Sequence, residues 1–263
     1  MGLAHGIPGW ADVAVPDMGA GRAFYGGLFG WEAIDGDGGE SMPYVMFTLD
    51  GSLVAGMGPI SDDQAAAGTP PSWSTYIIVD DVDAVYERAI ELGATSLMEP
   101  MQILDAGRMV FVIDPVGAPI GFWQSGTHDG AEVFNEFNTQ TWNDLASRDV
   151  DRAIAFYTAL LGWEADAFPG EIASFTTFTN DGRMNGGTYD MSDNLPDEVP
   201  PHWLTWFRVE ACDSSAARVL ELGGAVRSEP RDTEAGKSAV VADPFGAVFG
   251  IIETDRVDGQ PPR

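Results

Sequence analysis

The chain has 263 residues and a formal net charge of −28, because 41 Asp and Glu residues outnumber 13 Lys and Arg residues. This charge repels phosphate backbones and anionic lipid surfaces, so we expect neither a nucleic acid nor a membrane partner. The single cysteine, Cys212, excludes an intrachain disulfide, and without a leader-like N-terminus or a membrane-length apolar run we expect a cytoplasmic protein.

The first half begins with an alternating strand and an amphipathic helix. The strand runs from Trp10 to Val15, and the helix from about Ala20 to Phe29, where Gly30 ends it. Asp50-Gly51 predicts a hairpin. Its strands are Tyr44 to Leu49 and Ser52 to Met57. After a polar stretch, Ser61 to Pro71, a second unit is predicted with a strand at Ser74 to Val79, a helix at Val82 to Leu92, and strands at Arg108 to Ile113 and Ala118 to Gln124.

The second half repeats this order. Its first unit is predicted as a strand at Thr141 to Ala146, a helix at Asp151 to Leu161, and strands near Ser174 to Thr179 and Arg183 to Tyr189. Its second unit is predicted as a strand at Trp203 to Val209, a helix at Ser214 to Leu222, and strands at Ser238 to Ala242 and Ala247 to Glu253.

Three sequence blocks of the first half return in the same order in the second. Phe24 to Ala33 returns as Phe156 to Ala165, with Phe-Tyr in the helix and Gly-Trp at its end. Glu91 to Ala94 and the Asp-Pro-x-Gly turn at 114–117 return at 221–224 and 243–246. The repetition indicates a duplicated domain. We predict domains at residues 1–126 and 135–263, joined by a linker at 127–134.

Four βαβββ units in two pairs, with these motifs at their helix ends and last turns, resemble the vicinal oxygen chelate superfamily, which includes glyoxalase I, bleomycin-resistance proteins and extradiol dioxygenases. More narrowly, the chain resembles two-domain glyoxalase-like proteins of actinobacteria. The resemblance implies an α+β fold of two tandem glyoxalase-like domains, each a curved mixed sheet that forms a cup.

In metal-dependent members, the resemblance implies a divalent ion held in the cup by His, Gln or Glu side chains. The corresponding positions here are Trp10, Ala55 or Gly56, Ser74 and Gly121 in the first half, and Trp142, Gly186 or Gly187, Leu204 and Gly250 in the second. An indole or a glycine cannot replace an imidazole or a carboxylate as a ligand. His5, His128 and His202 fall in a terminal segment and in loops, where we expect solvated side chains. We therefore expect no metal and no other cofactor.

A Trp-x-Asp motif occurs in the first strand of each half. Side chains two positions apart on a strand share a face, so Trp10 accompanies Asp12 and Trp142 accompanies Asp144 in the cups. An aspartate in an apolar cup can have a raised pKa and act as a general acid or base. It can equally be a structural carboxylate that accepts hydrogen bonds or pairs with an arginine. Asp12 and Asp144 are thus candidate catalytic residues.

The same alternation selects candidate ligand-binding residues on the other strands of each cup. Together they are Trp10, Ser74, Tyr76, Trp123, Trp142, Trp206 and Arg208. Cups lined by aromatic rings with few polar groups suit a flat small molecule. The tryptophans can instead fill the core, and Arg208 can either clamp a ligand carboxylate or phenolate or neutralise Asp144.

Two functions remain open from the sequence. The first is a bleomycin-resistance-like protein that binds a small aromatic or polyketide-like molecule in an apolar cup. The second is a metal-independent enzyme of secondary metabolism that uses a cup aspartate for proton transfer. A weaker alternative keeps a metal on Glu132 or Glu136. The sequence does not choose between a monomer and a homodimer.

Overall fold

The structure is a computed structural model of the protein, which describes residues 2–36, 38, 43–167 and 175–257. The elements of the first half are β1 (Pro8–Val15), α1 (Met18–Phe29), β2 (Glu32–Asp35), β3 (Val45–Leu49), β4 (Ser52–Pro59), α2 (Asp62–Ala66), β5 (Ser72–Ile78), α3 (Val82–Glu91), β6 (Thr95–Ile103), β7 (Gly107–Ile113) and β8 (Pro119–Ser125). The elements of the second half are β9 (Gln140–Ser147), α4 (Val150–Leu161), β10 (Glu164–Ala167), β11 (Phe175–Asn180), β12 (Arg183–Asp190), β13 (His202–Arg208), α5 (Cys212–Glu221), β14 (Ala225–Thr233), β15 (Gly236–Ala242) and β16 (Val248–Glu253).

Each half forms one mixed sheet of eight strands. The order is β2-β3-β4-β1-β5-β8-β7-β6 in the first half and β10-β11-β12-β9-β13-β16-β15-β14 in the second. The first strands of the two units pair antiparallel at the centre of each sheet, β1 with β5 and β9 with β13. The last strand of each unit pairs parallel with its first, which needs a crossover through the helix. The predicted α+β class and the tandem arrangement of βαβββ units are confirmed.

The first helix of each half begins and ends at residues that set its limits. Asp17 Oδ1 accepts the backbone N–H of Ala20 at 2.9 Å, which satisfies a donor at the helix start. Gly30 ends the helix with a φ of 73°, where a side chain would strain the backbone. Asp149 and Gly162 play the same roles in the second half. The same left-handed glycine thus ends both helices, directly before Trp31 in the first half and Trp163 in the second.

Both halves contribute to one buried aromatic cluster around α1. Phe24, Tyr25 and Phe29 of α1 pack with Phe207 and Phe249, which lie on the sheet of the second half. The ring centroids of Phe29 and Phe207 are 5.1 Å apart. Because these rings have less than a few per cent of their surface exposed, the first half has no complete core without the second.

A second cluster mirrors the first around α4. It joins Phe156 and Tyr157 of α4 to Ile77, Val110 and Phe122 on the sheet of the first half. Helix α3 of the first half also contacts α4 directly. The helices thus lie between the two sheets, and each sheet has its other face directed away from the helices.

Two buried hydrogen bonds join the halves through the repeated motifs. The Tyr25 hydroxyl donates to Asp243 Oδ2 at 3.0 Å, and the Tyr157 hydroxyl donates to Asp114 Oδ2 at 2.7 Å. The other oxygen of each carboxylate accepts two backbone N–H groups of its own turn. Burial raises the pKa of both tyrosines well above the usual range, so both remain donors. The repeated Phe-Tyr and Asp-Pro-x-Gly motifs therefore bond to each other across the halves.

Some elements had no counterpart among the predicted strands and helices. Strands β2, β6, β10 and β14 form the sheet edges, where most of their side chains are exposed and the apolar alternation is weak. The polar stretch 61–71 contains the short helix α2. The strand predicted to begin near Ser174 begins at Phe175, and Ser174 lies outside the described residues. Within the described ranges, no helix has the length and apolar character needed to cross a bilayer.

We expect Tyr25→Phe to lower the free energy of unfolding by about 1–3 kcal/mol, because it leaves Asp243 Oδ2 and the Trp73 indole N–H buried without this partner. Chemical denaturation followed by tryptophan fluorescence measures the change. The matched control is Tyr86→Phe on α3, a half-buried tyrosine whose hydroxyl makes no hydrogen bond within the described part of the chain. Equal losses in the two variants would show that the bond between the halves contributes nothing specific.

Candidate functional site

The face of each sheet opposite the helices is lined by aromatic rings around one carboxylate. We call these faces cup 1, which contains Trp10, Asp12, Tyr44, Tyr76 and Trp123, and cup 2, which contains Trp142, Asp144, Phe175, Tyr189 and Trp206. In cup 1, the strands from β3 to β7 in the sheet order all contribute side chains to a single cluster, which requires the sheet to curve around it. Both Trp-x-Asp motifs lie on these faces, as their alternation predicts.

Asp12 of cup 1 is held by two tyrosine hydroxyls. Tyr44 and Tyr76 each donate to Asp12 Oδ2 at 2.9 Å, and the Trp10 indole N–H donates to the Tyr44 hydroxyl at 3.0 Å. Burial raises the pKa of Asp12 to about 6, although the hydroxyl hydrogen bonds act in the opposite direction. Burial, and after it the charge of the Asp12 carboxylate, raise the pKa of both tyrosines well above their usual range. The aspartate therefore orients an aromatic network.

Asp144 of cup 2 is held by two indoles. The Trp142 N–H donates to Oδ1 at 2.7 Å and the Trp206 N–H to Oδ2 at 2.8 Å. Burial raises the pKa of Asp144 to about 7, against the effect of these two hydrogen bonds. Asp144 retains partial solvent exposure. A carboxyl group in this setting can hold or release a proton at neutral pH.

Large rings occupy the space above glycines in both cups. A Cβ at Gly121 would lie 2.7 Å from the Tyr76 ring, and a Cβ at Gly250 would overlap the Trp206 ring. Cβ atoms at Gly56 and Gly187 would overlap Tyr44 and Phe175 in the same way. Each glycine therefore allows one ring to lie flat on the sheet.

Cup 1 is filled by its own side chains and by the segment between the domains. Trp10, Tyr76 and Trp123 retain only 4%, 5% and 6% of their surface exposed. They pack with Leu3 near the N-terminus and Phe134 from the segment that joins β8 to β9. The part of this segment nearest cup 1 is tied to the first sheet by backbone hydrogen bonds to β1 and β4. Cup 1 thus presents little aromatic surface to a ligand.

His128 lies in this segment and is not the solvated residue that we expected. Its ring meets the Trp10 ring edge to face at a centroid distance of 4.4 Å, and its backbone carbonyl accepts the Trp123 indole N–H at 2.9 Å. Burial lowers the pKa of His128 to about 4, so the imidazole is neutral at neutral pH. It therefore closes cup 1 as an uncharged ring.

Cup 2 has smaller side chains than cup 1 at three corresponding positions: Val240, Ser238 and Ile252 replace Phe111, Met109 and Trp123. Across one row of the sheet, Phe111, Gly121, Tyr76 and Trp10 in cup 1 correspond to Val240, Gly250, Trp206 and Trp142 in cup 2. In the next row, Met109, Trp123 and Ile78 correspond to Ser238, Ile252 and Arg208. Trp142 and Trp206 remain partly exposed. The two tryptophans of cup 2 are therefore covered less completely than the Trp10 and Trp123 rings of cup 1.

The other candidate residues have different positions. Ser74 is half-buried and pairs with Asp12 across β1 and β5. Arg208 lies two residues beyond Trp206, but its guanidinium donates to the backbone carbonyls of Thr254 at 2.9 Å and Asn135 at 2.8 Å. The Arg208 guanidinium forms its ion pair with Asp255, at 3.9 Å, and none with Asp144 among the described residues, so Arg208 does not neutralise Asp144.

Sequence reasoning did not select Tyr44, Phe175 or Tyr189. Tyr44 and Phe175 lie at or next to the start of a strand that pairs with the glycine-containing strand, and only the cross-strand register places them in the cups. The signal available in the sequence was the glycine at 56 and at 187, since a glycine in a strand often marks a close approach by another group.

The comparisons with known proteins agree with the two-domain architecture. Residues 7–122 match the family described as the glyoxalase/bleomycin resistance protein/dioxygenase superfamily, and residues 141–252 match the glyoxalase-like domain family. The glyoxylase-like protein CFP32 of Mycobacterium tuberculosis is 39% identical over 258 residues, which cover 95% of each chain. The chain belongs to the glyoxalase/bleomycin resistance protein/dioxygenase superfamily.

One further relative and two solved structures also resemble this chain. The anthracycline biosynthesis protein DnrV of Streptomyces peucetius is 35% identical over 265 residues, covering 95% of this chain and 94% of DnrV. The Mn(II)-bound glyoxalase of Novosphingobium aromaticivorans superposes with a TM-score of 0.66 at 15% identity, covering 98% of this chain and 85% of that one. A catechol 2,3-dioxygenase superposes with a TM-score of 0.62 at 16% identity, covering 99% and 90%. At such identities the two structures establish the fold alone.

The residues at the positions of superfamily metal ligands do not fit a divalent cation. Gly56 and Gly187 face the cups, whereas Ala55 lies in the core on the helix side. The remaining positions present the indole, hydroxyl, aliphatic and glycine groups described above, which are not ligands that Mn²⁺, Fe²⁺ or Zn²⁺ prefers. In the described ranges, no three His, Cys, Asp or Glu side chains are grouped so that they could hold a metal ion, and Glu132 accepts the backbone N–H of Leu53.

The pKa of Asp144 predicts a pH-dependent stability. The folded chain has a pKa of about 7 in place of 3.8, so it retains a proton that the unfolded chain has already lost in this interval. The free energy of unfolding should therefore fall as pH rises from about 4 to about 7 and change little above that, with Asp12 contributing between about 4 and about 6. Asp144→Asn should flatten the upper part of this slope.

Titration of the indole N–H resonances by NMR tests the same assignment directly. The Trp142 and Trp206 resonances should shift together with a midpoint near pH 7, because both donate to Asp144. Indole resonances that remain constant across neutral pH in the native protein, or that still titrate in Asp144→Asn, would contradict the raised pKa.

Proposed function

We propose that cup 2 binds a small planar aromatic or polyketide-like molecule without the help of a divalent metal. The observation that carries this proposal is the partial exposure of Trp142 and Trp206, which are held on either side of Asp144 by hydrogen bonds. Rings fixed in this way are already in place before a ligand arrives, so binding costs little side-chain entropy.

The chemistry of cup 2 favours a flat ligand. Four aromatic side chains, Trp142, Phe175, Tyr189 and Trp206, provide apolar faces, and Asp144 provides one central group that can accept or donate a hydrogen bond. Pockets that are mostly apolar with a few orienting polar groups are typical of small-molecule sites. The relative named for anthracycline biosynthesis supports a fused-ring ligand class.

The donor set supports metal independence. A protonated Asp144 can donate a hydrogen bond to a ligand carbonyl, and the indole N–H groups that hold Asp144 do not coordinate a cation. Binding should therefore be unchanged by a chelator and by added Mn²⁺, Fe²⁺ or Zn²⁺, as measured by quenching of tryptophan fluorescence.

Filling cup 2 with the side chains of cup 1 tests the location of the site. We expect the double variant Val240→Phe and Ile252→Trp to abolish binding of hydroxyanthraquinones and flavonoids, because Phe111 and Trp123 fill the equivalent volume in cup 1. The fold already accommodates these rings at the corresponding positions, so the variant should remain folded. Calorimetric titration against a panel of such compounds measures the loss.

The matched control for this experiment changes cup 1. Phe111→Val opens the equivalent position there and should leave ligand affinity unchanged. Retained binding in the filled cup 2 variant would show that the binding site lies outside cup 2. Failure of every compound in the panel to bind the native protein would overturn the proposed function.

A second candidate function is proton transfer by Asp144. The observation that favours it is the position of a half-buried carboxyl group with a pKa of about 7 between two partly exposed rings. Such a group can remove a proton from, or return one to, a ring-bound hydroxyl or an adjacent carbon. This function requires ligand binding first.

Replacement of each cup aspartate separates binding from catalysis. If cup 2 is catalytic, Asp144→Asn should lower turnover at least about a hundredfold while a bound ligand is retained, because general acid–base catalysis contributes roughly that much. Asp12→Asn should leave turnover unchanged. Product analysis with any compound that the native protein converts measures turnover. Turnover that survives in Asp144→Asn would exclude the catalytic role.

A further inference from the structure

The two cups differ at one ring that lies beside the central aspartate. This ring is Tyr44 in cup 1 and Phe175 in cup 2, each two residues before the residue that pairs with the cup glycine, Gly56 or Gly187. Each glycine pairs in turn with the aspartate of its own cup. A Cβ at either glycine would overlap the ring, so both rings lie directly over the backbone next to the aspartate. The two side chains therefore occupy equivalent places.

In cup 1 the hydroxyl of this ring bridges an indole and the carboxylate. The Tyr44 hydroxyl accepts the Trp10 indole N–H at 3.0 Å and donates to Asp12 Oδ2 at 2.9 Å. A Cβ at Gly56 would meet this hydroxyl oxygen before any other atom, which places the oxygen over the glycine. Tyr44 thus shows, within the same protein, how a phenol lies against the central aspartate of such a cup.

In cup 2 the ring at this place has no hydroxyl. Phe175 presents only ring carbons to Gly187, and the Trp142 indole N–H donates directly to Asp144 Oδ1 at 2.7 Å. Among the described residues, the hydrogen bonds of Asp144 come from the indoles of Trp142 and Trp206, and no hydroxyl donates to it. A carboxylate has about four lone-pair positions, so about two remain for other donors. Asp144 and both indole rings are partly exposed, which makes these positions accessible.

A second polar group of cup 2 lies in the same row of the sheet as Asp144. Thr177 pairs with Gly187, and it faces the cup because the next residue, Phe178, belongs to the core on the helix side. Thr177 is 3% exposed, and its hydroxyl has no hydrogen-bond partner within the described ranges. The residue of cup 1 at this position is Met46, which packs against the filled cluster. Because buried hydroxyls are rarely unpaired, this row points to a polar partner from outside the chain.

The charge of the site favours a neutral donor on the ligand. The whole chain has a net charge of −28, and no lysine or arginine forms an ion pair with Asp144 in the part of the chain that the structure describes. A ligand carboxylate beside Asp144 would meet a like charge without a nearby cation. A neutral O–H group instead donates a charge-assisted hydrogen bond to the carboxylate, as Tyr44 does in cup 1.

We propose that the ring bound in cup 2 carries a neutral hydroxyl group, phenolic or enolic, which donates a hydrogen bond to Asp144 as the Tyr44 hydroxyl does to Asp12 in cup 1. This inference rests on the proposed binding function of cup 2 and names the ligand class, hydroxylated aromatic rings. Phe175 is the residue that sets this specificity, because its lack of a hydroxyl leaves the acceptor to the ligand. A ring without an O–H group would bury the carboxylate without a matching donor, which costs affinity.

A pair of probes with the same ring tests the proposal. 2-Naphthol can donate a hydrogen bond, and 2-methoxynaphthalene cannot. We expect the native protein to bind naphthol at least about tenfold more tightly, as a hydrogen bond to a carboxylate predicts. Phe175→Tyr, which places the cup 1 residue in cup 2, should remove the preference because its own hydroxyl then bonds to Asp144. Asp144→Asn should reduce the preference, since the amide oxygen is an uncharged acceptor. Ligand-observed NMR measures the affinities.

The matched control is Tyr44→Phe, which removes the equivalent hydroxyl from cup 1 and should leave the preference for naphthol unchanged. Equal binding of the two probes by the native protein, or a full preference that survives in Phe175→Tyr or in Asp144→Asn, overturns the hydroxyl site while cup 2 remains a binding site. A preference that disappears in Tyr44→Phe also overturns it, because the hydroxyl would then be recognised in cup 1. Binding of neither probe overturns both this inference and the function on which it rests.

Discussion

The reciprocal hydrogen bonds between tyrosine and aspartate across the two halves fix the architecture on which the rest depends. Tyr25 with Asp243 and Tyr157 with Asp114 hold the helices of each half against the sheet of the other. Each aspartate also closes its own turn, so a single side chain links local backbone shape to the association of domains. Because the helix faces of both sheets are covered in this way, the faces of the sheets that remain are the concave ones.

The two concave faces have the same backbone and different contents. In both, glycines admit flat rings and a central aspartate orders those rings through hydrogen bonds. In cup 1 the aspartate receives tyrosine hydroxyls, and large side chains together with the interdomain segment complete a closed cluster. In cup 2 the aspartate receives indole N–H groups, and smaller side chains leave the rings partly exposed. Identical strand pairing thus supports a packed interior in one half and an open aromatic surface in the other.

The sequence predicted the fold because its signals are local and repeated. The alternation of strands, the glycines that end helices and the Asp-Pro-x-Gly turns each depend on a few neighbouring residues. The same alternation placed both Trp-x-Asp motifs on the concave faces. It could not reveal Phe175 or Tyr189, since their contribution depends on cross-strand register and on the curvature of the sheet. The partners of Tyr25 and of Arg208 are more than forty residues away or in another half, beyond the reach of periodicity.

The reciprocal hydrogen bonds between the halves are consistent with an origin from two copies of one domain. Each half carries both the tyrosine and the aspartate, so two copies of one ancestral half could satisfy each other around a twofold axis. In such a symmetric dimer both concave faces would have had one gene and one composition. Fusion of two such copies into one chain would raise the effective concentration of the partners and would allow the two faces to differ in sequence. One face could then accumulate the rings that seal it, while its twin remained free to evolve a new specificity.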